Sequence, residues 1–226
     1  MPAGGGPGPD GSAPAWLTAA PVEPVIERRS PSGLTGSDVL LGGAGLGADA
    51  ARNKGIAIHT LLEHLAPDPA SVREQGPALL SARHPEIEDQ IAAMAVDEAC
   101  NALGRPDIAA LFGPDTLMEL PICVDPPGGG LRMIGRIDML VLSGRTACVV
   151  DIKSDARPPL DPQGVPQKYL AQLGAYASAV RRAWSNRDVR LAIVWTAAPA
   201  LMDVPLSLAH NAFETANWDA RQTAKL

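Results

Sequence analysis

The sequence predicts an α/β fold, with a mixed central sheet that contains an antiparallel three-strand meander and is flanked by helices. Three observations predict it. Apolar residues recur at helical spacing between Asn53 and Gly104. Three β-prone segments separated by turn residues follow between Leu117 and Ser154. A helical period then resumes at Gln167 and gives way to a further apolar strand at Val189. Helix, three strands, helix, strand is the order of a mixed sheet, since regular βαβ alternation would interleave every strand with a helix.

The opening MPAGGGPGPDGSAPAWL is rich in Gly, Pro and Ala and can bury little. Residues 1–35 are therefore expected to be a flexible linker, disordered to about Ala13, and a Met followed directly by such composition suggests a piece of a longer chain. Residues 36–206 are expected to form the folded domain, with a short helix at Gly36–Leu41. Order is expected from Asn53, where Ile58, Leu61, Leu62 and Leu65 form one helical stripe that Pro67 stops. Helices return at Ser71–Leu80 and Pro85–Gly104, the latter with Ile87, Ile91, Met94, Ala95 and Ala99 in period. LMELPICVD and LRMIGRIDMLVL read as strands joined by PPGGG, and SGRT turns the chain into a third strand, ACVVDIKS. QKYLAQLGAYASAVRRAW carries Leu170, Leu173, Ala177, Val180 and Trp184 on one side of a helix. VRLAIVWT is a buried strand, ALMDVP an edge strand, and 207–226 a tail with a weak helix.

Of 226 residues, 46% are hydrophobic but only 4% aromatic, so one sizeable core is expected to be aliphatic. The net charge of −6 supplies no global basic field, so any nucleic-acid contact must rest on a local groove. Cys100, Cys123 and Cys148 lack CxxC spacing, which points away from zinc or disulfides and toward a reducing, cytoplasmic setting. No apolar run is long enough to span a membrane, and no signal-peptide pattern is present.

Two acidic residues carry the chemical signal. If Gly144-Arg145 is a two-residue turn, Ser143 faces Thr146 and, counting back along both strands, Asp138 faces Asp151. Directly opposed side chains stand about 4.5–5.5 Å apart, so two carboxylates there repel unless a cation lies between them. Mg²⁺ suits carboxylate oxygens, and Lys153 projects to the same face as Asp151. The bland alternative is a solvent-exposed hairpin whose charges only keep it soluble, and a one-residue register slip would separate the aspartates. His59 and Glu63 share a helix face, as do Gln172 and Tyr176. HTLLEH is not a zinc-protease motif, because His59 and His64 are five residues apart and HExxH needs four.

In order, the motifs are G-x-x-x-H-x-x-L-E (Gly55, His59, Leu62, Glu63), G-R-I-D (Gly135 to Asp138), V-V-D-I-K (Val149 to Lys153) and Q-L-x-x-Y (Gln172, Leu173, Tyr176). Together they resemble the RecB-type nuclease domain of the PD-(D/E)XK superfamily, whose core is restriction-endonuclease-like. The flanking PAWL, RSPSGL and LAIVWTAAPALMDVP resemble the C-terminal nuclease domain of bacterial AddA-type helicase–nucleases, so that nearly all of Ala15 to Pro205 fits. The resemblance implies His59, Asp138, Asp151 and the Ile152 carbonyl as metal ligands and Lys153 as the catalytic lysine, beside Asp138 and Asp151. It implies Gln172 and Tyr176 as site-bracing or DNA-contacting residues, and it places Glu63 and Glu119 in the same group. Arg52, Lys54 and Arg136 are candidates for phosphate contacts, with ordinary solubilising charge as the equal alternative. Ile152 stands where a tyrosine is frequent in the family, and Ser154 where a threonine is frequent.

The resemblance thus implies a Mg²⁺-dependent DNA nuclease, with Mn²⁺ able to substitute. It would act on single-stranded DNA in double-strand break repair, with a helicase portion of the same polypeptide and an AddB-like subunit as partners. A stand-alone exonuclease and a non-catalytic module for DNA guidance or subunit docking are the alternatives. The four-cysteine pattern of AddB is absent, so no iron–sulfur cluster is expected; no G-x-x-x-x-G-K-[ST] occurs, so neither nucleotide nor helicase activity is expected in this chain.

Overall fold

The computed structural model describes residues 27–29, 47–125 and 131–216. The expected helix at Gly36–Leu41, the PPGGG connection and the last ten residues of the tail lie outside them. Within the segment expected as linker, β1 (Glu27–Arg29) pairs in parallel with residues Leu131–Met133.

Three helices form the first layer. α1 (Ala48–Leu65) begins five residues before the expected start, because the Ala-rich stretch before Asn53 also favours helix. α2 (Pro69–Arg83) is started by Asp68, whose carboxylate accepts from the Ala70 and Ser71 amides, with Pro69 at the first helical position where its missing N–H costs nothing. α3 (Asp89–Leu103) starts later than the expected Pro85, and a single turn, α4 (Pro106–Ala109), follows it unannounced by any periodic pattern.

The meander forms as the sequence predicts. β2 (Thr116–Val124), β3 (Leu131–Ser143) and β4 (Thr146–Lys153) pair antiparallel, and Gly144, at φ +52°, makes the tight turn with Ser143 opposite Thr146. α5 (Gln167–Ala183) crosses over to β5 (Asp188–Trp195), which lies parallel to β4 and antiparallel to β6 (Ala200–Val204). β4 is therefore a central strand, flanked by β3 and β5 in a six-stranded mixed sheet.

The two faces of the sheet bury different cores. Met139, Val150, Ile152, Ala192 and Val194 pack against α1 to α3 through Ala57, Ile58, Leu61 and Leu62. Leu140, Val149, Leu191 and Ile193 pack against Leu170, Leu173, Ala177 and Val180 of α5. The residues from Ser207, expected as a tail with a weak helix, form α6 (Leu206–Thr215), which buries Ala209, Ala212 and Phe213 against α5. No helix among the described residues is long and apolar enough to cross a membrane.

Gly174 is what lets α6 approach. A Cβ there would run into the Ala209 carbonyl oxygen and stand 2.6 Å from Phe213 Cβ. A backbone oxygen cannot rotate away, so Gly174→Ala is expected to destabilise by about 2 kcal/mol, overpacking outweighing the gain in helix propensity of about 1 kcal/mol. Urea unfolding measures it, and an unchanged midpoint would show that α6 is not packed this way.

Candidate active site

The site lies where β3 parts from β4. Their ladder ends at Met139–Val150, one pair short of Asp138 and Asp151. In place of a further ladder bond, Asp138 Oδ2 accepts from the Ile152 amide at 2.7 Å. On the other edge of β3, Glu119 and Asp138 drop out of the β2–β3 ladder together, while the pairs on either side keep one register. The alternation of faces slips there in both strands: Met118 and Met139 pack under α1 to α3, whereas Leu120 and Ile137 pack under α5. Glu119 absorbs the kink at φ +50°, a left-handed conformation that costs a non-glycine residue about 1–3 kcal/mol. The slip places two carboxylates side by side beneath α1.

His59 descends from α1 onto this pair. Its Nδ1 is 3.8 Å from Glu119 Oε1 and 3.8 Å from Asp138 Oδ1, and its Nε2 is 3.2 Å from the Ile152 carbonyl oxygen. The carbonyl can only accept, so Nε2 carries the proton of that contact. One ligand atom from each of His59, Glu119 and Asp138 lies within 4.8 Å of the others. Burial pulls the His59 imidazolium down, but Asp138 and Glu119 outweigh it and hold its pKa above the ordinary value.

Asp151 stands just beyond, 0% exposed on the central strand. Lys153 Nζ is 2.7 Å from its Oδ2, a close ion pair, while Oδ1 has no hydrogen-bond partner. Burial pushes the Asp151 carboxyl up to about 7, opposed by Lys153 and reinforced by Asp138. On Lys153 burial works downward, yet Asp151 and Asp138 together keep its ammonium above the ordinary lysine value. Lys153 balances one oxygen of this fully buried carboxylate and leaves the other open to a second cation. The donors available, carboxylate oxygens, a backbone carbonyl and one imidazole, fit a hard divalent ion. The sequence-level alternative of a solvated hairpin does not survive, because the face that carries Asp151 is buried.

Lys153 is boxed in by α5. Gln172 Oε1 accepts from it at 3.4 Å, and Gln172 Nε2 donates to Tyr176 Oη at 2.7 Å. The Tyr169 ring centroid lies 4.7 Å from Nζ, and Tyr169 Oη donates to the Asp155 carboxylate at 3.0 Å. Tyr169 escapes the motif reading although it sits three residues before Gln172, one turn along the same helix face. Behind the strand, the Thr196 amide donates to the Lys153 carbonyl at 2.9 Å, and Glu98 accepts from Thr196 Oγ1 and from Lys54 Nζ, each at 2.6 Å.

The structure does not gather every sequence-nominated residue. Lys54 is buried and engaged by Glu98, so its ammonium faces the interior and is not offered to a phosphate. Glu63 is exposed and pairs with His64 at 3.5 Å. Arg52 is exposed near the start of α1. Arg136, on β3, reaches Glu119 Oε2 at 3.1 Å.

The box around Lys153 gives a test. If the nuclease expectation raised by the motifs holds, Tyr169→Phe, which keeps the ring and loses only the bond to Asp155, is expected to cleave DNA within about twofold of the wild-type rate. Tyr169→Leu removes the aromatic face beside the ammonium and is expected to lose about tenfold. Single-turnover rates at saturating metal measure both, and equal losses would deny the ring its role.

A family model described as the PD-(D/E)XK nuclease superfamily matches residues 40–207. No curated protein matches the chain. Among solved structures, the crystal structure of SSO0001 matches with 16% sequence identity and a TM-score of 0.34, over 76% of this chain and 88% of that one. A likeness at that TM-score carries no argument about function.

Proposed function

Because the chain belongs to the PD-(D/E)XK nuclease superfamily, we propose that the cleft at the β3–β4 divergence hydrolyses DNA phosphodiesters with Mg²⁺, Mn²⁺ being able to substitute. One observation carries the reading: Asp151 is fully buried beside Asp138, with one oxygen paired to Lys153 and the other without a partner. His59, Asp138, Asp151 and the Ile152 carbonyl would hold the cation, with Glu119 within reach of the same position. The ion would neutralise phosphate oxygens and lower the pKa of a water.

The protein's own residues supply the rest. Asp151 and Asp138 keep Lys153 protonated, so Nζ presents a fixed positive charge to the scissile phosphate and stabilises negative charge as the water attacks. Gln172, braced by Tyr176, and the Tyr169 ring hold that ammonium in place. Asp138 has a second task, pinning the Ile152 amide so that the neighbouring carbonyl keeps its direction.

The fuller reading is single-stranded DNA delivered by a helicase portion of the same polypeptide, within an AddA-type machine that works with an AddB-like subunit in double-strand break repair. Its support is the motif order from His59 to Tyr176 and the resemblance of the flanks. The net charge of −6 agrees with a site to which DNA is brought, since no broad basic field captures it. End-labelled single strands and duplexes of equal length, incubated with Mg²⁺, Mn²⁺ or EDTA, test both levels. Metal-dependent cutting that favours the single strand is expected. Faster cutting of duplex would overturn the substrate preference, and cutting in EDTA would overturn the metal.

A further inference from the structure

We propose that Arg136 is a latch on Glu119: in the DNA-free protein its guanidinium holds a carboxylate that the divalent cation needs, and an incoming phosphodiester releases it by taking the guanidinium. The inference rests on the metal-dependent nuclease reading and adds to it a coupling between substrate and cation.

The geometry divides Glu119 between two partners. Its Oε1 faces His59 Nδ1 at 3.8 Å, on the side where His59 and Asp138 gather, while its Oε2 meets Arg136 Nη1 at 3.1 Å. Only one partner can move freely. The Arg136 side chain is 64% exposed on a long flexible stem, whereas Glu119 is 20% exposed and fixed by its φ +50° backbone. The neighbouring cations are not equivalent. Lys153 is held by Asp151 and Lys54 by Glu98, both with side chains that are largely buried. Arg136 is thus a solvent-facing cation in direct contact with Glu119. A guanidinium binds a phosphate in the same forked manner as a carboxylate, so exchange from Glu119 to a phosphodiester keeps its charge matched. A carboxylate relieved of Arg136 is a stronger ligand for the cation. By linkage, phosphate and cation then favour each other's binding to the same extent.

The test is a double-mutant cycle on Mn²⁺ affinity, read without turnover from the electron paramagnetic resonance signal of free Mn²⁺. Arg136→Gln is expected to bind Mn²⁺ about fivefold more tightly than wild type, the scale of a partly exposed ion pair. In the Glu119→Gln background the same change is expected to have no effect. Equal tightening in both backgrounds would mean that Arg136 acts only as a nearby charge, and the latch would be wrong. A phosphorothioate single-stranded oligonucleotide is expected to tighten Mn²⁺ binding more in wild type than in Arg136→Gln; equal tightening would remove phosphate as the release. If wild type and Asp151→Asn bind Mn²⁺ equally, the cation is elsewhere and the nuclease reading falls together with the latch. If binding depends on Asp151 but the cycle shows no coupling, only the latch falls.

Discussion

Replacing Asp151 with asparagine is expected to lower metal-dependent cleavage by roughly a thousandfold, several kcal/mol of lost charge stabilisation at about 1.4 kcal/mol per decade. Asparagine keeps the shape of the buried side chain, so the loss would report charge and not a cavity. The same variant carries a stability signature. In the metal-free protein the Asp151 carboxyl holds its proton up to about 7, against an ordinary value of 3.8. Between these values the folded state binds more protons than the unfolded one, so this group's stabilisation is present at low pH and is lost as pH rises toward 7. His59, with its raised pKa, leans the same way. The melting temperature of wild type relative to Asp151→Asn is therefore expected to fall between about pH 4 and pH 7 and to level off above. Saturating Mn²⁺ is expected to reverse the slope, because a cation binds only the deprotonated carboxylate and displaces its proton. A wild-type difference that is flat with pH, or a cleavage rate within a few-fold of wild type, would remove Asp151 from the centre of the site.

Much of this site was legible because local chemistry fixed it. Gly144 supplies the positive φ that a two-residue turn needs, and the turn then set the register of β3 against β4 from Ser143 to Met139. What failed to show was the paired slip at Glu119 and Asp138. Strand reasoning assigns faces by strict alternation, and two opposing residues that leave a ladder together keep the register while exchanging the faces. Glu119 could be suspected from the sequence only as an acidic residue near the site; its placement against His59 comes from the kink. Lys54 misled for a different reason. A lysine beside an arginine at the start of a helix reads as solvent charge, and the residue that claims it, Glu98, is 44 positions away on α3. Thr196 and Glu98 are likewise joined across 98 positions, a distance at which local pattern carries no information. Tyr169 is the instructive miss, since a one-turn extension of the Gln172–Tyr176 face would have found it.

Lys153→Met separates chemistry from metal binding. Methionine fills a similar volume without charge, and the cleavage rate is expected to fall by about 10²- to 10³-fold, the loss seen when one preorganised charge-stabilising donor is removed. Mn²⁺ binding is expected to persist above pH 7, because His59, Asp138 and Asp151 remain and a competing cation 2.7 Å from Asp151 has gone. Its onset is expected to move to higher pH: Lys153 is the charge that holds the Asp151 carboxyl down, so without it the proton leaves later. Lys153→Arg is not expected to rescue the rate, because a planar guanidinium cannot occupy the point between Asp151, Gln172 Oε1 and the Tyr169 ring that a compact ammonium fills. Rapid-quench cleavage together with Mn²⁺ titration distinguishes the cases. Loss of rate with metal retained places Lys153 in the chemical step; loss of both would make it a structural counterion for Asp151, and full activity of the arginine variant would mean that charge alone, without position, is what the site requires.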